Sequence, residues 1–168
     1  MKLRIPFFKQ DTDYSCGPVV LQMVLLFFGD RKSEYELIQR AHTNKHIGTR
    51  HEWMITTVRK EGLFCYVNNR SSLHEIKHFL ELGLPVIVHF STLKEDEGHY
   101  SLVVGIVGNN VLFNDPWDGK NFKISQKDFI SHWYGKQEER SYTKWIMVVS
   151  DKDLELGKQY HPLVKTLR

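Results

Sequence analysis

Apolar residues fill the stretch from Val19 to Phe28 with one interruption, at Gln22. A helix that is apolar nearly all round is buried on every side rather than laid on a surface. The pattern therefore predicts a central helix over residues 17–28. Further helices are predicted over 34–43, 50–61 and 73–82 from their start and stop signals. Ser33-x-x-Glu36, Thr49-x-x-Glu52 and Ser72-x-x-Glu75 fit the capping box, in which each side chain bonds the other residue's backbone N–H. Gly29, Gly62 and Gly83 follow where helices would end, as a left-handed C-cap requires.

The second half has a different texture. Pro85 to Phe90, His99 to Val107, Val111 to Asp115, Phe122 to Ser125 and Lys144 to Ser150 are rich in valine, isoleucine and aromatics, and read as strands. Gly108-Asn109-Asn110 is a hairpin turn signal, and a short helix is expected over 126–133. Helices followed by a mostly antiparallel sheet make an α+β fold. Beyond residue 150 the chain is polar, so a domain over 1–150 is expected to carry a loosely held tail over 151–168.

Composition narrows the function classes. The 168 residues suit one domain, without internal repeats or low-complexity segments. A net charge of +3, with the basic residues scattered, asks for neither a nucleic-acid partner nor a membrane surface. The N-terminus lacks the apolar core of a signal peptide. The apolar run at 19–28 is about half a bilayer crossing, so no membrane insertion is expected. These features predict a soluble, cytoplasmic protein. Two cysteines, Cys16 and Cys65, are too few for a disulfide scaffold and lack metal-ligand spacing.

The segment Gln10-Asp11-Thr12-Asp13-Tyr14-Ser15-Cys16-Gly17-Pro18 carries the densest chemical signal. Cys16 falls in the first turn of the predicted central helix. Gly17 removes bulk beside it, and Pro18 needs no N–H partner in a first turn. The helix dipole there favours thiolate over thiol, which is what a cysteine nucleophile needs. A small buried cysteine at a helix start is the plainer reading of the residue type alone. Gln10, six residues upstream in a polar loop, offers an amide that could join the Cys16 N–H in holding an oxyanion. His99 begins an apolar strand beside Gly98, and its ordinary pKa of about 6.5 suits proton transfer near neutrality. Asp115 ends the next strand and is placed to orient a histidine. A strand-ending Asp-Pro turn is the plainer reading there.

Register arithmetic does not bring these last two together. A three-residue loop at 108–110 pairs Asp115 with Val103, on the face of His99 but four residues away. At roughly 3.3 Å per residue that is too far for a hydrogen bond. Contact needs a β-bulge or strong coiling, and Gly105 permits either.

At these residues the sequence resembles the bacteriocin-processing, double-glycine leader peptidases, papain-like domains often fused to ABC exporters. The resemblance rests on Gln10, on Ser15-Cys16-Gly17-Pro18 and on the helix from Leu21-Gln22-Met23 to Phe28-Gly29. It continues through Gly48-Thr49, Gly62-Leu63-Phe64, Leu84-Pro85-Val86-Ile87 and Gly98-His99-Tyr100-Ser101-Leu102-Val103-Val104. It ends at Asp115-Pro116-Trp117-Asp118-Gly119 and the Ser125 to Phe129 motif, so it covers about residues 6–135. The order Cys, His, Asp is that of the papain clan, with Asp in place of the usual Asn. The resemblance implies a papain-like α+β fold, its N-terminal helices packed on a twisted antiparallel sheet. It implies a cysteine peptidase with Cys16 as nucleophile, His99 as base, Asp115 as orienter and Gln10 as oxyanion donor. It implies a peptide or protein substrate, an ABC exporter as partner and no cofactor. Ser15 departs from the aspartate usual before the family's cysteine, and the chain reads as a stand-alone domain. A peptide-binding domain that does not cut, or an amidase or acyltransferase on the same scaffold, are the alternatives.

Four other features carry weaker signals. His42, His46 and His51 are spaced too loosely for a zinc site and read as a solvated loop. Trp117 either shields a His99–Asp115 contact from water or packs in the core. Cys65, between Phe64 and Tyr66, reads as an inert core thiol. The helix from Thr49 to Glu61, with His51, Arg59 and Lys60, reads as a solvated outer face, with a peptide-binding face as the alternative.

Overall fold

A computed structural model describes residues 2–163. Three helices come first: α1 (Cys16–Phe27), α2 (Glu34–Arg40) and α3 (His51–Lys60). The strand β1 (Phe64–Asn68), the helix α4 (Leu73–Glu81) and the strands β2 (Val86–Ser91), β3 (Gly98–Val107), β4 (Asn110–Asp115) and β5 (Gly119–Ser125) follow. The chain continues through α5 (Gln126–His132), β6 (Tyr134–Gln137), β7 (Arg140–Thr143), β8 (Ile146–Ser150) and β9 (Gln159–Tyr160).

Seven strands form one antiparallel sheet in the order β5-β4-β3-β2-β8-β1-β9. Period-two alternation sends successive residues to opposite faces. Tyr100, Leu102 and Val104 of β3 and Met147 and Val149 of β8 face α1. Val103 of β3 and Ile146 and Val148 of β8 face the other side, where α4 and α5 lie. Both faces are covered, so β2 and β8 are buried at every position, mostly by apolar residues, with His89, Ser91 and Ser150 the polar ones. The central helix is as expected: α1 packs on β3, α2 and α3 and buries Val19, Val20, Leu21, Met23, Val24 and Leu25 completely.

Half of the capping box forms at two sites: Ser33 and Ser72 accept the backbone N–H groups of Glu36 and Glu75, while the Glu36 carboxylate goes to Arg40 and that of Glu75 to Tyr66 and Asn68. At Thr49 the box does not form. Its hydroxyl shares a 2.6 Å hydrogen bond with Thr43, and α3 starts a residue later with Arg50 as an N-cap whose side chain makes no cap bond. The small hairpin β6–β7 stands apart from the main sheet and was not anticipated. In the segment expected as a tail, Gln159 and Tyr160 pair with Tyr66 and Cys65. Residues 164–168 of that segment lie outside the described residues. Among the described residues, no helix is long and apolar enough to cross a membrane.

The β3–β4 ladder differs from the sequence-based register in two ways. Val107 pairs with Asn110, so the loop has two residues, Gly108 and Asn109. The register then shifts between Val103 and Gly105, which inserts one extra residue into β3. Each change slides β4 by one position, and Asn114 comes to pair with Leu102. Asp115 therefore falls opposite Ser101, two residues from His99 instead of four.

Candidate active site

Cys16 opens α1 behind Ser15, whose hydroxyl makes no bond to the helix. That hydroxyl donates to Glu34 Oε2 at 2.7 Å and accepts from Thr12 Oγ1 at 2.7 Å. The Glu34 carboxylate also accepts the Asp11 N–H, at 3.0 and 3.2 Å. The loop before Cys16 is thus fastened to the first turn of α2. Glu34 escaped the sequence reading because it looks like any helix-opening acid. Gly17 is dictated by space. A Cβ there would meet Thr49 Oγ1 at 2.8 Å and Thr49 Cβ at 3.0 Å, so the start of α1 presses on the segment entering α3.

His99 comes from the start of β3 and Asp115 from the end of β4. His99 Nε2 lies 3.1 and 3.0 Å from the two carboxylate oxygens of Asp115. Asp115 is fully buried and takes three further donors. Ser101 Oγ–H donates at 2.8 Å, and the backbone N–H groups of Trp117 and Asp118 donate at 2.9 and 2.8 Å. Burial alone would favour the neutral acid. The His99 contact, the Asp118 N–H and the Ser101 hydroxyl outweigh it and hold the carboxyl below its usual range. Burial likewise pushes the His99 imidazole down, but hydrogen bonding and charge from Asp115 and Cys16 outweigh it and carry the ring up to about 10. Ser101 was missed by the sequence reading, yet period two places it on the His99 face of β3.

With Nε2 held by Asp115, the ring has Nδ1 left for Cys16. The sulfur also receives the Tyr100 backbone N–H at 3.5 Å. The Tyr100 side chain points the other way, its hydroxyl donating to the Thr49 carbonyl at 2.7 Å. Gln10 lines the same cleft, a hollow of about 420 Å³ shared with Cys16 and His99. Its backbone N–H donates to the Pro116 carbonyl at 3.0 Å, tying the Gln10 loop to the Asp115 turn. One amide hydrogen goes to the Thr12 carbonyl at 2.7 Å, while Oε1 is buried without a partner. Gln10, Cys16 and His99 thus line one cleft, and Asp115 stands fully buried behind His99.

The remaining features fall elsewhere. The two cysteines are free, and burial pushes the Cys65 thiol far up, against a smaller opposing effect of Arg59. Trp117 is 54% exposed at the cleft, which rules out core packing for its ring. His42 stacks on Trp53 with ring centres 3.7 Å apart. His51 corrects two expectations, the solvated histidine loop and the solvated face of α3. Its ring lies flat on Trp145 at 4.0 Å, and its Nε2 meets His89 Nδ1 at 2.7 Å. Burial carries His51 down to about 3. His89, sandwiched between Tyr100 and Tyr142, is held well below its ordinary value by burial and then by the charges of His51 and His99.

Comparison with solved structures returns the same architecture. The peptidase domain of Streptococcus ComA, a bifunctional ABC transporter in a quorum-sensing pathway, superposes with a TM-score of 0.71 at 24% identity, over 87% of this chain and 98% of that one. A double-glycine-motif protease from an AMS/PCAT transporter, solved with its leader peptide, gives 0.69 at 20% identity, over 89% and 93%. The peptidase domain of Streptococcus mutans ComA gives 0.61 at 22% identity, over 86% and 98%. These likenesses establish the α+β fold expected from the sequence. A comparison with curated proteins finds no match. The sequence profile of the Peptidase C39 family matches residues 4–137, most of the chain, and the protein belongs to that family.

Proposed function

We propose that the protein is a cysteine peptidase that cleaves a peptide substrate of the leader-peptide type. The observation that carries this reading is the His99–Asp115 contact through Nε2, which leaves Nδ1 for Cys16. A histidine oriented in this way holds one tautomer toward a nucleophile and is stabilised when it becomes charged. His99 takes the thiol proton, or a thiolate–imidazolium pair is already formed, which the rise of the ring to about 10 favours. The Cys16 sulfur attacks the scissile carbonyl, and the oxyanion is held by the Cys16 N–H and the second amide hydrogen of Gln10. His99 then gives its proton to the leaving amine as the C–N bond breaks. Water, deprotonated by His99, hydrolyses the thioester and regenerates the thiol. No step asks for a cofactor. Transporters named for two of the structural relatives favour an ABC exporter as partner, with the cytoplasm as the working compartment.

The reading is tested by the pH dependence of iodoacetamide alkylation in wild type, His99→Ala and Cys16→Ser. Fast labelling well below the free-thiol range of about 8.5, lost in both variants, is the expected result. Labelling that rises only in that range and ignores His99 would leave a peptide-binding domain on a peptidase fold.

A further inference from the structure

The cleft around Cys16 and His99 carries a charge that the peptidase chemistry does not use. Asp13, Glu95, Glu97 and Asp118 all line it, and no lysine or arginine does. None of the four carboxylates belongs to an ion pair among the described residues. Burial and then the Asp115 charge push the Asp118 carboxyl up, outweighing the charges of His99 and then Lys94, which pull it down.

Two further observations point to an occupant. Gln10 is 7% exposed, faces this cleft, and holds Oε1 buried without a partner. Buried acceptors are nearly always paired, so a donor from outside the chain, such as a peptide N–H, is called for. Trp117 leaves its ring exposed beside Asp118. An aromatic face next to a carboxylate receives an ammonium or guanidinium group through both cation–π and charge attraction.

Chemistry sets the direction. His99 protonates the leaving amine, so the part of the substrate beyond the scissile bond passes over His99. Glu97 and Gly98 lead into His99, and Trp117 and Asp118 follow Asp115. We propose that the cleft selects peptides with a lysine or arginine directly after the scissile bond, its cation received by Glu95, Glu97 and Asp118 beside the Trp117 ring. This rests on the peptidase reading and names the side chain which that site prefers.

Epoxysuccinyl peptides that extend over the His99 side test it without a known substrate. Three probes carry lysine, norleucine or glutamate next to the warhead, and the rate of Cys16 labelling is followed by mass spectrometry. The lysine probe is expected to label roughly five- to tenfold faster than norleucine, and glutamate slowest. The ratio is expected to fall toward one in the Glu95→Gln/Asp118→Asn double variant. In wild type it should also shrink as salt is raised, a measurement that needs no variant. Equal rates for all three probes, or a lysine preference blind to salt, would overturn the proposal while leaving the nucleophile intact. Failure of every probe to label Cys16 would overturn the peptidase reading, and this inference with it.

Discussion

Leu3 donates its backbone N–H to the carbonyl of Val104 at 2.7 Å, where β3 takes in one residue more than β4. A bulge leaves backbone groups without a ladder partner, and a buried one must find another. The N-terminal segment supplies it, reinforced by the bridge between Lys2 and Gly105. The bulge in turn moves Asp115 to within reach of His99. Leu3→Pro removes the donor. It is expected to cost about 1–3 kcal/mol in urea unfolding. Cys16 alkylation at pH 6 should slow as well, because the His99–Asp115 register depends on the same bulge. Stability lost with unchanged alkylation would separate the N-terminal segment from the site.

The His99–Asp115 pair makes stability depend on pH with a definite sign. His99 binds its proton more tightly in the fold, at about 10 against 6.5. Its contribution is therefore complete below pH 6.5 and is lost as pH rises toward 10. Asp115 is shifted down from 3.8, so its contribution is present above that pH and is lost on further acidification. The gap in urea midpoint between wild type and Asp115→Asn is expected to be widest between about pH 4 and 6.5 and to close toward 10. A gap independent of pH would mean that the contact does not depend on the charge of His99.

His51 and His89 act in the opposite sense. Burial lowers His51 from 6.5 to about 3 and His89 well below its ordinary value, so the fold favours both rings neutral. That stability is present above pH 6.5 and is lost as pH falls toward 3. Together with His99, this predicts maximal stability near pH 6.5. His89→Phe keeps an aromatic ring between Tyr100 and Tyr142 and removes one titrating group. Its acid limb is expected to be shallower than that of wild type in urea unfolding between pH 4 and 6.5.

Local signals explain what the sequence revealed. The run from Val19 to Phe28 has no polar face to expose, so α1 could only be central. Cys16, His99, Asp115 and Gln10 stood out because a helix start, strand ends and a polar loop are where side chains project into clefts. Distant partners explain the rest. The approach of Asp115 to His99 depends on a hydrogen bond from Leu3, which no local arithmetic contains. Thr49 reads as a cap, but Thr43 takes its hydroxyl and its carbonyl serves Tyr100 and Gln137. The β6–β7 hairpin turns at Glu138, with φ of 55° and no glycine or asparagine to mark it.

Gly17→Ala tests how tightly α1 is seated on the segment before α3. The added methyl would lie 2.8 Å from Thr49 Oγ1 and 3.1 Å from Met54 Sδ. Overpacking of this kind costs typically about 1–3 kcal/mol. Thr49→Ala removes the nearest atom, so the double variant is expected to recover part of the loss. Additive costs in a double-mutant cycle would show that the two residues do not press on each other.

Gln10 separates transition-state stabilisation from activation of the nucleophile. Its amide can reach an oxyanion only while Thr12 O takes one hydrogen and the Gln10–Pro116 backbone bond holds the loop beside Asp115. Once a cleaved peptide is in hand, Gln10→Ala is expected to lower kcat by about 10²–10³, the usual cost of one lost oxyanion donor. Alkylation of Cys16 passes through no oxyanion, so its rate should change little. Gln10→Glu keeps the shape but brings a carboxylate toward the developing negative charge, and should lose at least as much turnover as Gln10→Ala. Equal losses of turnover and alkylation in Gln10→Ala would instead assign Gln10 to the architecture of the loop before Cys16.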